Sequence, residues 1–166
     1  MYYLQKEDTS ADYVPFESPD MEVIMLSGLP GAGKDTFLIK HFSKLPLISL
    51  DNIRREKRIA PTDKKENGRV IQEAKEQARR YLRKKTSFVW NATNVTFQMR
   101  SQLTELFMSY KARVRIIYIE AEYEKLKLQN SKREEIVPAS VLEHLIDKLE
   151  VPAMWEAHKV EYHINS

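Results

Sequence analysis

One stretch, Gly28-Leu-Pro-Gly-Ala-Gly-Lys-Asp-Thr36, constrains the fold of this chain more than any other. It follows the short apolar run Glu22-Val-Ile-Met-Leu-Ser27 and precedes a helix-compatible segment, residues 35–43. An apolar run of that length, bounded by turn residues, reads as a buried strand. Glycines spaced as G-x-x-x-x-G-K let backbone N–H groups converge on phosphate oxygens. The helix that follows aims its positive N-terminal end at the same charge. A strand, a glycine loop and a helix in that order predict a nucleotide-phosphate cradle made by Gly28, Pro30, Gly31, Ala32, Gly33, Lys34, Asp35 and Thr36.

The rest of the chain fits an α/β alternation. Strands are predicted at 22–28, 45–51, 87–94 and 113–120, with a last one over Val160–Ile164. Helices are predicted at 35–43, 65–85, 97–110, Tyr123–Asn130 and Ala139–Leu149. Strands alternating with helices imply a mostly parallel central sheet flanked by helices. Ligands in such sheets bind beyond the carboxyl ends of the strands. That rule draws attention to Gly28–Lys34, Asp51, Asn91–Asn94 and Glu120.

Composition narrows the class. At 42% hydrophobic and 31% charged, the 166 residues suit one globular domain with a full core. Cysteine is absent, which excludes disulfides and thiolate metal sites. No apolar run approaches the roughly 18 residues of a membrane span, and residues 1–20 lack the pattern of a signal peptide. A cytoplasmic protein is the expectation. Charge is unevenly placed: residues 1–22 hold six acids and one base, whereas residues 54–85 hold thirteen Lys or Arg and five acids. The basic block fits a polyanionic partner or a solvated helix face. The division expected is an acidic N-terminal extension, 1–20, and one domain, 21–166.

Asp35 stands where such a loop usually carries the hydroxyl that ligates Mg²⁺. A carboxylate is a hard oxygen ligand and can hold Mg²⁺ directly or through water. It can also serve only as an acid at the positive end of a helix. Thr36 then supplies a hydroxyl to a phosphate. In Ile48-Ser-Leu-Asp-Asn-Ile-Arg54, Asp51 and Arg54 face the same way if the segment is helical. Asp51 could take the proton of an attacking hydroxyl and Arg54 hold a substrate phosphate; the bland alternative is a cap and a surface arginine. Thr93 and Asn94 are small polar groups at the active edge, or simply a turn. Lys132 and Arg133 lie between two helices, where a lid arginine would close on a transferring phosphoryl group.

Taken together, "GLPGAGKDT", "SLDNIR", "ATN" with a later Arg100, and "NSKREEIVPASVL" resemble the 5′-hydroxyl polynucleotide kinases in order and spacing, over about residues 22–150. These include the bacteriophage end-healing enzyme and kinase modules of bacterial RNA-repair proteins. The resemblance implies a P-loop kinase fold with a helical lid. It implies an NTP donor, ATP or GTP, with Mg²⁺, and RNA or DNA 5′-OH ends as acceptors. By that likeness Asp51 is the general base, and Lys34 and Arg133 stabilise the transferring phosphoryl. Arg54 contacts the acceptor phosphate, while Thr93, Asn94 and Arg100 line the acceptor path. Asp35 and Gln129 depart from the pattern, the latter where a further lid arginine would stand. The chain would be a stand-alone kinase or a module of a longer repair protein. A small-molecule kinase is the competing enzyme. A nucleotide-gated module is the non-catalytic alternative, although no D-x-x-G or N-K-x-D switch motif is present. Trp155 is a packing residue or a platform for the donor base.

Overall fold

The computed structural model describes residues 21–165. The acidic extension 1–20 lies outside them. Five strands, β1 (Glu22–Ser27), β2 (Leu47–Ser49), β3 (Phe88–Asn91), β4 (Arg113–Ala121) and β5 (Lys159–Asn165), form one sheet in the order β2-β3-β1-β4-β5. Every pairing is parallel. Six helices connect the strands: α1 (Lys34–His41), α2 (Leu50–Lys57), α3 (Lys64–Arg83), α4 (Phe97–Ser109), α5 (Tyr123–Ser131) and α6 (Ala139–Lys148). β1, β3 and the middle of β4 read as continuous apolar runs because both faces of the sheet are covered there, whereas edge strand β5 buries only Val160. Val23, Met25, Phe88, Trp90, Val114 and Ile116 pack on one side with Val70, Ala74, Ala78 and Leu82 of α3 and Phe107 of α4. Ile24, Leu26, Val89, Ile117 and Ile119 pack on the other with Leu38, Leu126 and Leu142.

The i, i+4 spacing of the α3 contacts puts its apolar groups on one narrow stripe, so much of the basic block faces outward. Asp63 caps this helix, its side chain accepting from the Glu66 N–H. Several charges of the block pair with acids of its own helices: Lys57 with Glu73, Arg69 with Glu66, Arg79 with Glu76. Among the described residues, no helix is long and apolar enough to cross a membrane.

The second strand is shorter than its apolar run predicts. Pairing with β3 ends at Ser49, whose hydroxyl accepts from the Asn52 N–H and starts α2 immediately. Asp51 therefore lies in the first turn of a helix rather than on a strand end. Arg100 also departs from expectation. It is fully buried on α4, where Nε and Nη2 donate to the two carboxylate oxygens of Glu156 at 2.8 and 3.2 Å. Its Nη1 donates to the Asn94 carbonyl at 2.9 Å. A guanidinium bonded on three nitrogens and closed off from solvent is not placed to line an acceptor path. It pins the segment before β5 to α4 and to the loop after β3. Removing one member of a buried pair strands the other's charge, so Glu156→Ala should lower stability by about 3–5 kcal/mol. Chemical denaturation checks this, and Arg100→Met combined with Glu156→Leu should recover most of the loss.

Candidate active site

The loop from β1 into α1 is held by backbone bonds on both sides. The Gly28 N–H donates to the Thr93 carbonyl at 2.9 Å, and the Ala32 N–H donates to the Leu29 carbonyl at 3.1 Å. Gly31, with φ at +84°, lies against α5, and a Cβ there would stand 2.6 Å from the Leu126 carbonyl oxygen. Gly33 caps α1 in the left-handed region, φ +103°. Pro30, Gly31, Gly33, Lys34, Asp35 and Thr36 line a cleft of about 430 Å³. Gly28 and Ala32 support it from behind: Ala32 is buried, and its carbonyl accepts from the Asn165 side chain at the end of β5.

Lys34 Nζ donates to the carbonyls of Gly28 and Leu29, at 2.8 and 3.0 Å. Loss of hydration is the larger influence on it and lowers its pKa to about 8; Arg133 adds to the lowering, while Asp51 and Asp35 oppose it. Asp51 bonds Arg54 from its own helix and Arg133 Nη2 from the segment after α5, the latter at 3.0 Å. Burial alone would raise the Asp51 carboxyl, but the Arg54 bond and the charges of Arg54, Arg133 and Lys34 outweigh it. The net effect holds Asp51 below the usual carboxylate range, and it stays ionised at neutral pH. All four charged groups, Lys34, Asp51, Arg54 and Arg133, line the same cleft.

Two supporting residues escaped the sequence reading. Asn67 of α3 accepts from Arg54 Nη1 at 3.1 Å, while its amide nitrogen donates to the carbonyls of Ala60, Pro61 and Asp63. It fixes the arginine and the α2–α3 loop together. Asn130 closes the lid segment: its Nδ2 donates to the Val137 carbonyl and its Oδ1 accepts from the Val137 N–H, at 2.8 and 3.1 Å. Those two bonds fold residues 131–136 into a compact loop that presents Lys132 and Arg133 to the cleft. The spacing of Asn130 and Val137 in "NSKREEIVP" was the available signal; its clasp was not legible without the fold.

Thr93 lines the cleft, but Asn94 does not. Asn94 is buried with φ at +46°, and its amide donates to the Leu26 carbonyl at 2.7 Å. Its own carbonyl accepts from Ser27 Oγ and from Arg100. It is a brace between β1 and the loop after β3. Gln129 reaches the cleft. Trp155 is exposed and meets Phe97 edge-on at 5.4 Å, away from the residues that line the cleft. Asp35 faces Asn91 at the end of β3, whose Nδ2 donates to it at 2.9 Å. A fixed carboxylate next to the lysine suits Mg²⁺, which binds through one or two carboxylates, waters and substrate phosphates.

Residues 23–152 match the model of a family described as an AAA domain. In fold the chain is similar to a provisionally assigned kinase from Chloroflexus aurantiacus, with a TM-score of 0.69 at 16% identity over 89% of this chain and 86% of that one. It is also similar to a sugar kinase from Janibacter sp. HTCC2649, with a TM-score of 0.62 at 19% identity over 86% and 85%. A chain of the Pnkp1/Rnl/Hen1 RNA repair complex gives a TM-score of 0.70 at 19% identity, over 84% of this chain and 47% of that one. At such identities the likeness establishes the fold: a five-stranded parallel sheet flanked by helices, as in P-loop kinases.

The lowered lysine gives a pH signature. Below pH 8 Lys34 is charged; as pH rises through about 8 it loses its proton. A bound triphosphate favours the charged form. Nucleotide binding between pH 8 and 9.5 should therefore take up protons, seen as a binding enthalpy that varies with buffer ionisation heat. Lys34→Met should abolish that dependence.

Proposed function

The chain belongs to the AAA domain family that matches residues 23–152, and on that premise we propose that it is an NTP-dependent kinase acting on the 5′-hydroxyl ends of nucleic acid. The observation that carries the proposal is the meeting of Lys34, Asp51, Arg54 and Arg133 at one cleft, beside a glycine loop at a helix N-terminus. Phosphoryl transfer needs positioning and charge neutralisation more than covalent help from the protein. The loop N–H groups and Lys34 hold the triphosphate. Asp35 is the carboxylate that would hold Mg²⁺ there, and the ion would neutralise phosphate charge as the γ-phosphoryl leaves.

The acceptor oxygen attacks the γ-phosphorus in line, the bond from that phosphorus to the β–γ bridging oxygen breaks, and NDP leaves. The hydroxyl proton passes to Asp51, whose two arginine partners keep it ionised and oriented. A base of low pKa suits a loose transition state in which the proton is released late. Arg133 is within reach of charge that develops on the transferring group.

The polymer acceptor is supported by the α2–α3 side of the cleft. Arg54 is fixed there by Asn67, and Pro61 lines the cleft with exposed Arg58, Lys64 and Lys65 close to it in sequence. A basic margin leading away from the base fits the phosphates that follow a 5′ end. A second reading has one specific observation behind it: Ile136, Val137, Val141 and Leu145 give the cleft an apolar wall. Small-molecule sites are commonly walled in that way, so a sugar or nucleoside acceptor is the competitor.

Transfer of label from γ-labelled ATP or GTP to a 5′-OH oligonucleotide, against a nucleoside and a hexose, decides between them. The oligonucleotide should be labelled in a Mg²⁺-dependent reaction. Asp51→Asn should cut the rate about 10²–10⁴-fold, the range of general-base catalysis. Arg54→Ala should raise the oligonucleotide KM and leave the KM for ATP nearly unchanged. Labelling of the hexose or nucleoside alone would move the assignment to a small-molecule kinase.

A further inference from the structure

Asp35 and Asn91 are 56 residues apart in sequence and meet beside the lysine of the phosphate loop. Asn91 closes β3, next to β1 in the sheet, with its Cα in register with Leu26. It is only 6% exposed and lines the cleft, and its Nδ2 bond to Asp35 fixes one side of the amide. The other side, Oδ1, is buried with no hydrogen-bond partner among the described residues. Buried amide oxygens are normally satisfied, so an orphan on a residue that lines a ligand cleft calls for an occupant.

The usual arrangement in P-loop NTPases supplies a reference. There Mg²⁺ is held by a neutral hydroxyl that follows the loop lysine and by a carboxylate from elsewhere in the fold. In this chain the residue after the lysine is the carboxylate, and the group facing it from the neighbouring strand is a neutral amide. We propose that Asp35 and Asn91 form one cation position with exchanged parts, in which Asp35 supplies the anionic oxygen and Asn91 the neutral one.

The exchange keeps one negative charge at the position. Two carboxylates there would repel each other and the triphosphate, and a hydroxyl facing an amide would offer no charge at all. The Asn91 N–H orients the Asp35 carboxylate, as groups behind metal ligands commonly do. Its Oδ1 is left to meet the cation or a water bound to it. Among the described residues no group of three or more His, Asp or Glu side chains could hold a metal alone. That suits a cation bound jointly with nucleotide phosphates. The assignment rests on the nucleotide-binding reading above.

Calorimetric titration of the full chain with ATP, in Mg²⁺ and in EDTA, tests it without reference to turnover. Wild type should bind ATP more tightly with Mg²⁺. Asp35→Asn should lose most of that gain and, in EDTA, bind ATP at least as well as wild type, because a carboxylate beside the phosphates is gone. Asp35→Ser should also lose the gain. Asp35→Ser combined with Asn91→Asp should restore it, with coupling between the two sites of at least roughly fivefold. Asn91→Ala should weaken the gain. A double variant no better than Asp35→Ser alone would overturn the exchange. So would a wild-type Mg²⁺ gain in Asp35→Asn, which lies at an exposed position and keeps the test open if variants at buried Asn91 do not fold. Absence of ATP binding by wild type in either buffer would overturn the kinase reading and this assignment together. ATP binding with its Mg²⁺ gain untouched by every variant would overturn only the assignment.

Discussion

The carboxylate of Asp51 joins two parts of the chain that the sequence keeps far apart. Arg54 reaches it from the same helix, and Arg133 reaches it from the lid segment after α5. Lys34 stands close enough for the charge of Arg133 to weaken its hold on a proton. Without the shared anion this cluster would be costly, since like charges in a partly dehydrated site repel strongly. With it, Arg133 ties the lid segment to the floor of the cleft, and Arg55 of α2 adds longer contacts, at 3.9 Å, to Glu134 and Glu135. The position of Asp51 depends in turn on Ser49, which ends β2 and caps α2 within two residues of it.

The parts legible from sequence were those written in local patterns. The apolar runs of β1 and β4 and the spacing of the glycine loop identify themselves, because burial on both faces and a positive φ each select residue types directly. Helix α3 is legible for a similar reason, since its apolar groups recur every fourth residue. The end of β2 was not. Its apolar run continues into α2, where Leu50 and Ile53 are buried by helix packing rather than by the sheet. A short apolar segment cannot by itself distinguish the two.

The polar residues of the site divide along the same line. Lys34 follows from the loop motif, and the contact of Asp51 with Arg54 from their spacing on a helix. Arg100 and Asn94 could not be placed in this way, because a buried brace and a substrate ligand use the same side chains. What separates them is a partner distant in sequence: Glu156 for Arg100 and the Leu26 carbonyl for Asn94. Asn67 and Asn130 were missed for the complementary reason, and Asn91, marked only as the end of a strand, was given no partner. Each is an ordinary polar residue whose role lies in bonds to Arg54, Asp35 and Val137 that only the folded chain brings within reach. Amides recur in these positions because each offers a donor and an acceptor without charge, so Asn67 and Asn91 fix charged neighbours without altering the net charge of the cleft.

Arg133 links the segment after α5 to the floor of the cleft. A guanidinium carries five N–H donors in a rigid plane, and the bond to Asp51 uses Nη2. One arginine can therefore hold Asp51 and still offer donors to the cleft. A lysine at the same place has a single charged nitrogen on a flexible stem and no second edge to offer. The Asn130–Val137 clasp makes this geometry repeatable, because it fixes the loop length between α5 and the apolar wall that starts at Ile136. Shortening that loop would pull the arginine from Asp51 while leaving both helices intact, so the ionic contact at Asp51 and the shape of the loop are set by the same eight-residue segment, Asn130 to Val137.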